Sequence, residues 1–543
     1  MSKKLKAVLS FILCVCMIFS LCAVGFAAKE ELTPIVIIPG FGQSETIVYD
    51  ENGNIMGDIS EFSLESLKTD SVLKNLTNPK KLSSLIRKNP DFGEYVAKIL
   101  EDMFAAFKRN DDGTPIYKTV VRHFDKPYSQ YTAEEKAEVD KHIKIDGIEA
   151  YDSVRYYFTY DTFGSFYESA ESLHKFITEV VLPQTGAKKI NIVPVSQGGA
   201  LFAGYLDLYK EDGQYFKKVV SMAPAFDGSI IVGDILNDRI KIYNADYLDD
   251  TALPLLFGDL FGGKAKGYAV SAVLRSLLSN EQQTNLIKKA LEPVVGSLAL
   301  NNTMMWALCP TADYDGAKAR LLSDNAHVSL RAETDRYMLA RANLAENLRE
   351  LMANGTYVHS ICCYDVGCYL SYLFENGEKN ADDLLAPSSS SLGATSADTG
   401  KTLGKDYVSP KTYCSDPSHN HISPDNVIDA STSALPENTW YFKNVSHMSL
   451  NARNDVKAFA AELIKNDDIK DVHSFSGQSQ FVSLPEYKAV HGDDGVIRYY
   501  APDGSYAYSE KEKIEENPIE IVFARIFYSF TKILVPFIRA VAK

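Results

Sequence analysis

The sequence of 543 residues contains little cysteine. Of eight cysteines, three lie in an apolar run at the start of the chain, and the others are Cys309, Cys362, Cys363, Cys368 and Cys414. An odd, small number in a chain of this length allows at most two bridges and leaves at least one thiol unpaired within the chain. We therefore expect burial of apolar side chains, which make up 45% of the composition, and not disulfides, to hold the fold.

Net positive charge is also lacking. The formal charge is −15 at pH 7, and the first 28 residues contain three lysines and no acid, so a chain without them carries −18. Such a surface argues against nucleic acid as a partner and favours a soluble protein.

The first residues have the three parts of a secretory signal. Three lysines precede an apolar run from Ala7 to about Val24, and the segment Gly-Phe-Ala-Ala follows and ends at Ala28. This pattern predicts a signal peptide over 1–28 and a mature protein that is secreted, either free or associated with the cell surface. A retained membrane anchor is the alternative, because the apolar run approaches the length of a bilayer span.

Short apolar runs alternate with helical patterns along much of the chain. The predicted strands lie at 33–42, 154–161, 189–195, 216–224, 357–364 and 439–445. Strands joined in succession by helices predict an α/β fold with a mostly parallel sheet and helices on both faces.

A serine follows the third of these strands and precedes a helical pattern. The segment 189–200 reads Lys-Ile-Asn-Ile-Val-Pro-Val-Ser-Gln-Gly-Gly-Ala. A strand, a sharp turn and a helix expose the Oγ of Ser196 at the end of a parallel sheet. The segment resembles the nucleophile elbow of the α/β-hydrolase superfamily, although Pro194 stands where the G-x-S-x-G pattern has its first glycine. Because proline has a fixed φ and no N–H, the strand must end there in a conformation that accepts both restrictions.

A serine alcohol needs a base to take its proton and an acid to orient that base. Among ten histidines, His447 stands directly after a late predicted strand and before an amphipathic helix, which resembles the loop that carries the catalytic histidine in these hydrolases. We predict His447 as the base.

The acid is predicted from a second resemblance. Residues 424–431 read Pro-Asp-Asn-Val-Ile-Asp-Ala-Ser, similar to the D-G-x-V-x-x-x-S loop of the family with Asn426 in the glycine place. This implies Asp425 as the acid, and the order Ser196, Asp425, His447 is the order of the fold's triad. Asp365, directly after the preceding strand, and Asp429 are alternatives.

Two backbone amides are predicted to bind a developing oxyanion. Gln197 follows the serine at the start of the helix, and Phe41 lies in the Pro-Gly-Phe-Gly turn after the first strand. We expect no cofactor and no metal. Cys414, His419, His421 and Asp425 can be drawn as zinc ligands, but they crowd into one loop and Asp425 has a better use as the triad acid.

The resemblance divides the chain. It implies a hydrolase domain over 29–471, with a charged, mostly helical insertion at about 59–146 and a helical segment at about 227–354, where lipid-active relatives carry a cap or lid. The alternative for the second insertion is a plain structural subdomain. A C-terminal extension, 472–543, has hairpin turns and an apolar helix at 519–543 with a narrow basic stripe, which either contacts a membrane or lipid surface or docks on the core.

Within the superfamily, the sequence looks most like secreted lipases and the lecithin:cholesterol acyltransferase group. That resemblance implies a secreted serine hydrolase whose substrate is a carboxylic ester, most naturally a lipid or acyl ester. Transfer of the acyl group to an alcohol is one alternative. A non-catalytic surface-binding protein that keeps a hydrolase core is the other.

Overall fold

The computed structural model describes residues 32–541 except 62–78, 90, 242–243, 262, 415, 417, 483, 493, 495 and 512–517. The predicted signal peptide, 1–28, lies outside the described residues. The strands are β1 (Ile35–Ile38), β2 (Thr46–Tyr49), β3 (Ile55–Asp58), β4 (Lys118–Val121), β5 (Arg155–Tyr157), β6 (Ile190–Pro194), β7 (Phe216–Met222), β8 (Tyr357–Tyr364), β9 (Gly367–Cys368), β10 (Asp382–Asp383), β11 (Thr395–Ser396), β12 (Ile428–Asp429), β13 (Thr439–Lys443), β14 (Phe481–Val482), β15 (Lys488–His491), β16 (Val496–Tyr500) and β17 (Tyr506–Lys511).

The α-helices are α1 (Pro79–Lys88), α2 (Phe92–Met103), α3 (Ala133–His142), α4 (Phe166–Lys175), α5 (Leu182–Thr185), α6 (Gln197–Leu208), α7 (Ile230–Leu236), α8 (Ala245–Tyr247), α9 (Leu253–Phe261), α10 (Lys264–Leu277), α11 (Asn280–Val295), α12 (Thr303–Trp306), α13 (Thr311–Leu321), α14 (Val328–Ala353), α15 (Pro387–Ser390), α16 (Asn454–Lys465) and α17 (Pro518–Val541).

Seven strands form the central sheet, in the order β14-β13-β8-β7-β6-β1-β5. Every neighbouring pair in it is parallel. All six predicted strands are present, and the predicted α/β class is confirmed. The edge strand β14 lies beyond the predicted domain boundary at 471. The first part of the predicted C-terminal extension therefore belongs to the central sheet.

Alternate residues of β1 enter two separate cores. Val36 and Ile38 pack in one with Leu201 of α6, whereas Ile35 and Ile37 pack in the other with residues of α3 and α16. Because successive side chains of a strand point to opposite faces, both faces of the sheet are covered by helices. This explains why the strand runs are continuously apolar instead of alternating.

The two predicted insertions differ from expectation in part. The segment 59–146 contains helices, but it also supplies β4. This strand pairs with β2 in a small antiparallel sheet of the order β3-β2-β4. In the segment 227–354, the last helix, α14, belongs to the core: the hydroxyl of Tyr337 donates to the carbonyl of Ala200 on α6 at 3.2 Å. A cap, if defined by the helices away from the sheet, ends before α14.

The remaining helices of the second insertion contact both the first insertion and the C-terminal extension. Phe92 of α2 lies in one apolar cluster with Val270 of α10 and Leu286 of α11. On α17, the carbonyl of Tyr528 accepts from the Arg275 guanidinium of α10 at 2.8 Å, and the same guanidinium lies 3.7 Å from the centre of the Tyr528 ring. The C-terminal helix is thus docked on the insertion.

We expect the contact between α4 and α6 to depend on Gly204. A Cβ at this position would lie 1.8 Å from Cε2 of Phe166, so Gly204→Ala forces the ring or the helix to move and lowers the free energy of unfolding by about 1–3 kcal/mol. Urea unfolding followed by circular dichroism measures the change.

Gly296→Ala is the matched control, because Gly296 has helical backbone angles of φ −59° and ψ −43° and a Cβ there meets nothing within 4 Å. Its expected effect is neutral to stabilising, up to about 1 kcal/mol. Equal unfolding midpoints for the two variants would contradict the close packing at Gly204.

Candidate active site

Ser196 stands at the turn between β6 and α6. Its backbone has φ 52° and ψ −122°, an unfavourable conformation for a residue with a Cβ, of the kind that costs about 1–3 kcal/mol. Its amide donates to the carbonyl of Met222 at 3.1 Å, and its carbonyl accepts from the amide of Ala225 at 2.8 Å. The chain on the β7 side therefore holds the serine in this conformation.

Two glycines after the serine let the helix approach the sheet. A Cβ at Gly198 would lie 2.5 Å from the carbonyl oxygen of Ile38, and one at Gly199 would lie 2.5 Å from Cβ of Pro224. Any side chain at either position would displace the backbone or a buried proline, so both positions require glycine for steric reasons.

Pro194 occupies a ladder position at which the missing N–H is tolerated. It pairs with Ile38 of β1, but the amides that donate towards that side belong to Asn191, which bonds the carbonyl of Pro34 at 2.7 Å, and Val195, which bonds the carbonyl of Ile38 at 2.9 Å. Because amide direction alternates along a strand, the nitrogen of Pro194 faces β7. The substitution costs at most one bond to β7, and the turn forms with proline in the first glycine place.

His447 lies against the serine. Its Nε2 is 2.8 Å from Ser196 Oγ, and its Nδ1 is 2.9 Å from Asp382 Oδ2. An ionised carboxylate only accepts hydrogen bonds, so in this arrangement Nδ1 carries the proton and Nε2 is the acceptor for the serine hydroxyl. His447 follows β13 by a short loop, as the sequence predicts.

The aspartate that meets His447 is Asp382, not Asp425. Asp382 is fully buried at the start of β10. Its Oδ1 accepts from the amides of Leu384 at 3.2 Å and Leu385 at 2.8 Å, so Oδ2 is left to accept from the imidazole. The local turn therefore orients the carboxylate.

The assignment of Asp425 to contact His447 is wrong. Its Oδ2 lies 2.8 Å from Nζ of Lys443 and accepts from the Tyr364 hydroxyl at 3.3 Å, and its Oδ1 accepts from Ser423 at 2.5 Å. A lysine at the end of β13 thus attracts the carboxylate away from the histidine.

The two alternative acids are also engaged elsewhere. Asp365 lies 3.2 Å from the same Lys443 ammonium. Asp429 accepts from Tyr407 at 2.9 Å and from Ser431. The strand before Asp365 is nevertheless the correct one, since Asp382 comes from the excursion that follows β8. The signal in the sequence was weak: an Asp-Asp pair before Leu384, without a family pattern around it.

The two predicted oxyanion donors flank the serine. Gly40 packs so closely that a Cβ there would lie 2.8 Å from Cβ of Ser196, which places the Phe41 turn beside the hydroxyl. The amides of Gly198 and Gly199 bond the carbonyls of Val195 and Ser196. Among the hydrogen bonds of the described residues, the amides of Phe41 and Gln197 have no acceptor, which leaves both available for an anion.

Side chains hold this donor turn in place. The amide of Gly40 donates to Oε1 of Gln43 at 2.6 Å. The buried Tyr160 hydroxyl lies 3.0 Å from the carbonyl oxygen of Pro39 and 3.2 Å from Oε1 of Gln197, and its single hydrogen is shared between these two acceptors. One tyrosine thereby links the two strand ends that carry the donors, so their relative position is set before any ligand arrives.

Two carboxylates set the charge of the site. Burial lowers the pKa of His447, but the charge and hydrogen bond of Asp382, together with the charge of Asp383, outweigh it and raise that pKa above 6.5. Burial also raises the pKa of Asp383 to about 6, although the Ser446 hydroxyl donates to it. The neutral base form of His447 therefore becomes dominant only at a higher pH than for a free imidazole.

The comparisons with known proteins add little. No protein-family model and no curated protein matches the sequence. One matching solved structure is the crystal structure of a Tle4-Tli4 complex; it is 12% identical, the match covers 80% of this chain and 98% of that chain, and the TM-score is 0.30. A likeness of this size supports no statement about function, which rests on the geometry of the site.

We expect Asp382→Asn to reduce kcat for a soluble short-chain p-nitrophenyl ester about 10³–10⁴-fold, because the imidazolium loses its charged partner. The acid limb of kcat/KM should also move to lower pH, since the charge that raises the pKa of His447 is gone. A pH profile of hydrolysis measures both effects.

Asp425→Asn and Asp365→Asn are the matched controls. Each removes one carboxylate charge from the same set of loops, but these carboxylates form ion pairs with Lys443 and do not contact His447. Both should keep the unmodified pH profile. A larger loss for Asp425→Asn than for Asp382→Asn would return the acid to Asp425.

Proposed function

We propose that the protein is a secreted serine hydrolase of the α/β-hydrolase superfamily that cleaves carboxylic esters. The observation that carries the proposal is the relay from Ser196 Oγ to His447 Nε2, at 2.8 Å, and from His447 Nδ1 to Asp382 Oδ2, at 2.9 Å. A serine, a histidine and a buried carboxylate in this order activate an alcohol for attack on a carbonyl.

In the acylation half, Ser196 Oγ attacks the ester carbonyl while His447 Nε2 accepts its proton. Asp382 stabilises the resulting imidazolium, and the amides of Phe41 and Gln197 donate to the oxyanion. The intermediate collapses by breaking the bond to the alcohol, which leaves with the proton from His447. The acyl group is then bound to Ser196 as an ester.

In the second half, His447 takes a proton from the acceptor as it attacks the acyl-enzyme, and then returns a proton to Ser196 Oγ. With water as acceptor the product is a carboxylic acid, and with an alcohol the reaction is acyl transfer. The chemistry proceeds with protein groups alone and calls on no cofactor.

The substrate we propose is a lipid or acyl ester. Three exposed apolar side chains lie next to site residues or to the segment of the acid: Phe41 beside Gly40, Met448 beside His447, and Tyr369, whose amide donates to the carbonyl of Asp383. They are 42, 72 and 42% exposed. Such side chains around a nucleophile offer favourable burial to an acyl chain.

The helical insertion adjoins this region. Leu373 and Phe374, which lie between β9 and β10, pack with Leu248 and Leu253 of the insertion. The Tyr372 hydroxyl donates to Asp259 at 2.5 Å. Asp382 begins β10, after the segment that packs on these helices. A movement of the helices could therefore shift Asp382, which is the behaviour expected of an insertion that opens and closes over the site.

We expect a fluorophosphonate probe to label the unmodified protein and to leave Ser196→Ala unlabelled, since only an activated serine reacts with it. Ser221→Ala is the matched control, because Ser221 is a buried serine on β7 close to the elbow but outside the relay. Labelling is measured by mass spectrometry of the intact chain. Equal labelling of Ser196→Ala and the unmodified protein would exclude Ser196 as the nucleophile.

We further propose that α17 contacts a lipid surface. Its face towards α10 is buried at Tyr528 and Thr531, whereas Val522, Phe523, Ile526, Phe527, Phe530 and Leu534 are between 39 and 68% exposed. These six share one side of the helix at a spacing of three or four residues, and Arg525 and Lys532 are exposed near them. An apolar face with basic neighbours fits the interface of an anionic membrane. Among the described residues, the helices lack the length and apolar character needed to cross a bilayer.

We expect the double variant Phe523→Ser, Phe527→Ser to bind vesicles of phosphatidylcholine and phosphatidylglycerol more weakly and to hydrolyse an emulsified long-chain ester more slowly. Its rate on a soluble short-chain ester should stay unchanged, because the relay is untouched. Co-sedimentation and a titrimetric assay measure the two effects.

The control is Ile55→Ser, Val408→Ser, which removes exposed apolar side chains elsewhere on the surface. An equal loss of vesicle binding in the control would attribute binding to general surface hydrophobicity and exclude a specific role of α17.

A further inference from the structure

Four side chains of metal-binding type converge on one point outside the active site. Cys414, His419, His421 and Glu437 each direct one ligand atom to it, and these atoms all lie within 4.8 Å of one another. Cys414 and His421 are buried, and the other two are half-buried. The first three come from the loop between β11 and β12, and Glu437 comes from the segment just before β13.

His421 gives an independent indication of a ligand. It is 4% exposed, and its Nε2 has no hydrogen-bond partner among the described residues. Its Nδ1 lies 2.7 Å from Oε1 of Gln480, whose Nε2 donates to the carbonyls of Pro436 and Thr439. Since both amide hydrogens of Gln480 are used, its oxygen faces His421 and Nδ1 carries the proton. A bare lone pair on Nε2 is thus held in the interior, and burial of an unpaired polar atom is costly.

The spacing of the other ligand atoms fits a small cation. His419 Nδ1 lies 2.9 Å from Glu437 Oε1, and Cys414 Sγ lies 3.6 Å from each of those two atoms. With zinc bonds of about 2.0–2.3 Å, the ligand atoms of a tetrahedral site are about 3.3–3.7 Å apart. Closing the cluster on an ion therefore needs side-chain shifts of about 1 Å.

Neighbouring groups orient these ligands as outer partners of metal sites do. Gln480 fixes the tautomer and ring direction of His421, and the ring of His473 stacks on that of His419 at 4.0 Å between centroids.

We propose that Cys414, His419, His421 and Glu437 bind one zinc ion in a structural site. One thiolate, two imidazoles and one carboxylate are a donor set suited to Zn²⁺, and four protein ligands fill a tetrahedron without an open position. Asp425, drawn from the sequence as a fourth ligand, lies on Lys443 instead, and Glu437 takes its place.

The ion would fasten a long loop to the sheet. The ligand Glu437 lies just before β13, and Gln480, which bonds His421, lies just before β14. The three other ligands lie in the excursion between β11 and β12, so the ion would tie this excursion to the edge of the sheet. The relay of Ser196, His447 and Asp382 lies beyond the other end of β13. Zinc loss should therefore reduce stability while leaving the rate of ester hydrolysis at room temperature unchanged.

The test is metal analysis of the full chain, purified and dialysed after loading with zinc. We expect one equivalent of zinc by mass spectrometry of the metal, and with cobalt in its place a thiolate-to-cobalt absorption band. Both should be lost in Cys414→Ser and His421→Gln. Cys368→Ser, which changes another buried thiol, is the control and should bind as the unmodified protein does.

A second measurement does not depend on a substitution. Removing zinc from the unmodified protein with a chelator should lower the unfolding midpoint by several degrees, and adding zinc back should restore it. No zinc above background in the unmodified protein would overturn the proposal, as would equal binding by Cys414→Ser. These results are independent of fluorophosphonate labelling at Ser196, so the proposed site and the proposed hydrolase can fail separately.

Discussion

The close approach of three chain segments at Ser196 is the constraint on which the site depends. The turn after β1, the start of α6 and the segment after β7 meet there without room for a side chain at Gly40, Gly198 or Gly199. The positive φ of Ser196 is a consequence, because the strand must turn into a helix within one residue. The surrounding hydrogen bonds to Met222 and Ala225 offset the strain. The parallel sheet therefore brings together the hydroxyl of Ser196 and the two turns that carry the amides of Phe41 and Gln197.

Charge explains why the acid lies where it does. Lys443, at the end of β13, sits between Asp365 and Asp425 and holds both. His447 lies four residues later and faces β10. There Asp382 accepts hydrogen bonds from the amides of Leu384 and Leu385 and from Nδ1 of His447. A carboxylate bound to lysine loses much of its capacity to stabilise an imidazolium, so the separation of the two ion pairs keeps Asp382 available. Within the described part of the chain, the neighbouring Asp383 is buried without a basic partner of this kind. Its Oδ1 has no hydrogen-bond partner among the described groups, and burial raises its pKa to about 6.

The sequence predicted what local patterns determine. Continuous apolar runs located the strands, and the turn residues around Ser196 located the elbow, because these signals lie within a few residues of one another. The approach of His447 to Ser196 followed from chain order in the resembling fold. Asp382 was missed because its role depends on where the excursion that leaves the sheet after β8 returns, and on which carboxylates Lys443 engages. Both are long-range facts. Glu437 was missed for the same reason, since it reaches the Cys414 loop only through the folded sheet.

Strand β13 connects the two chemical sites and keeps them apart. Glu437 precedes it and His447 follows it, so its five residues, Thr439–Lys443, separate the proposed zinc site from the relay by the full length of a buried strand. Trp440 and Phe442 face one core while Tyr441 faces a third apolar cluster with Val427 and Ile428. Because β13 pairs with β8 along its whole length, loosening its beginning does not by itself displace its end. The proposed zinc ion would therefore hold the loop at the end of β13 that carries no residue of the relay.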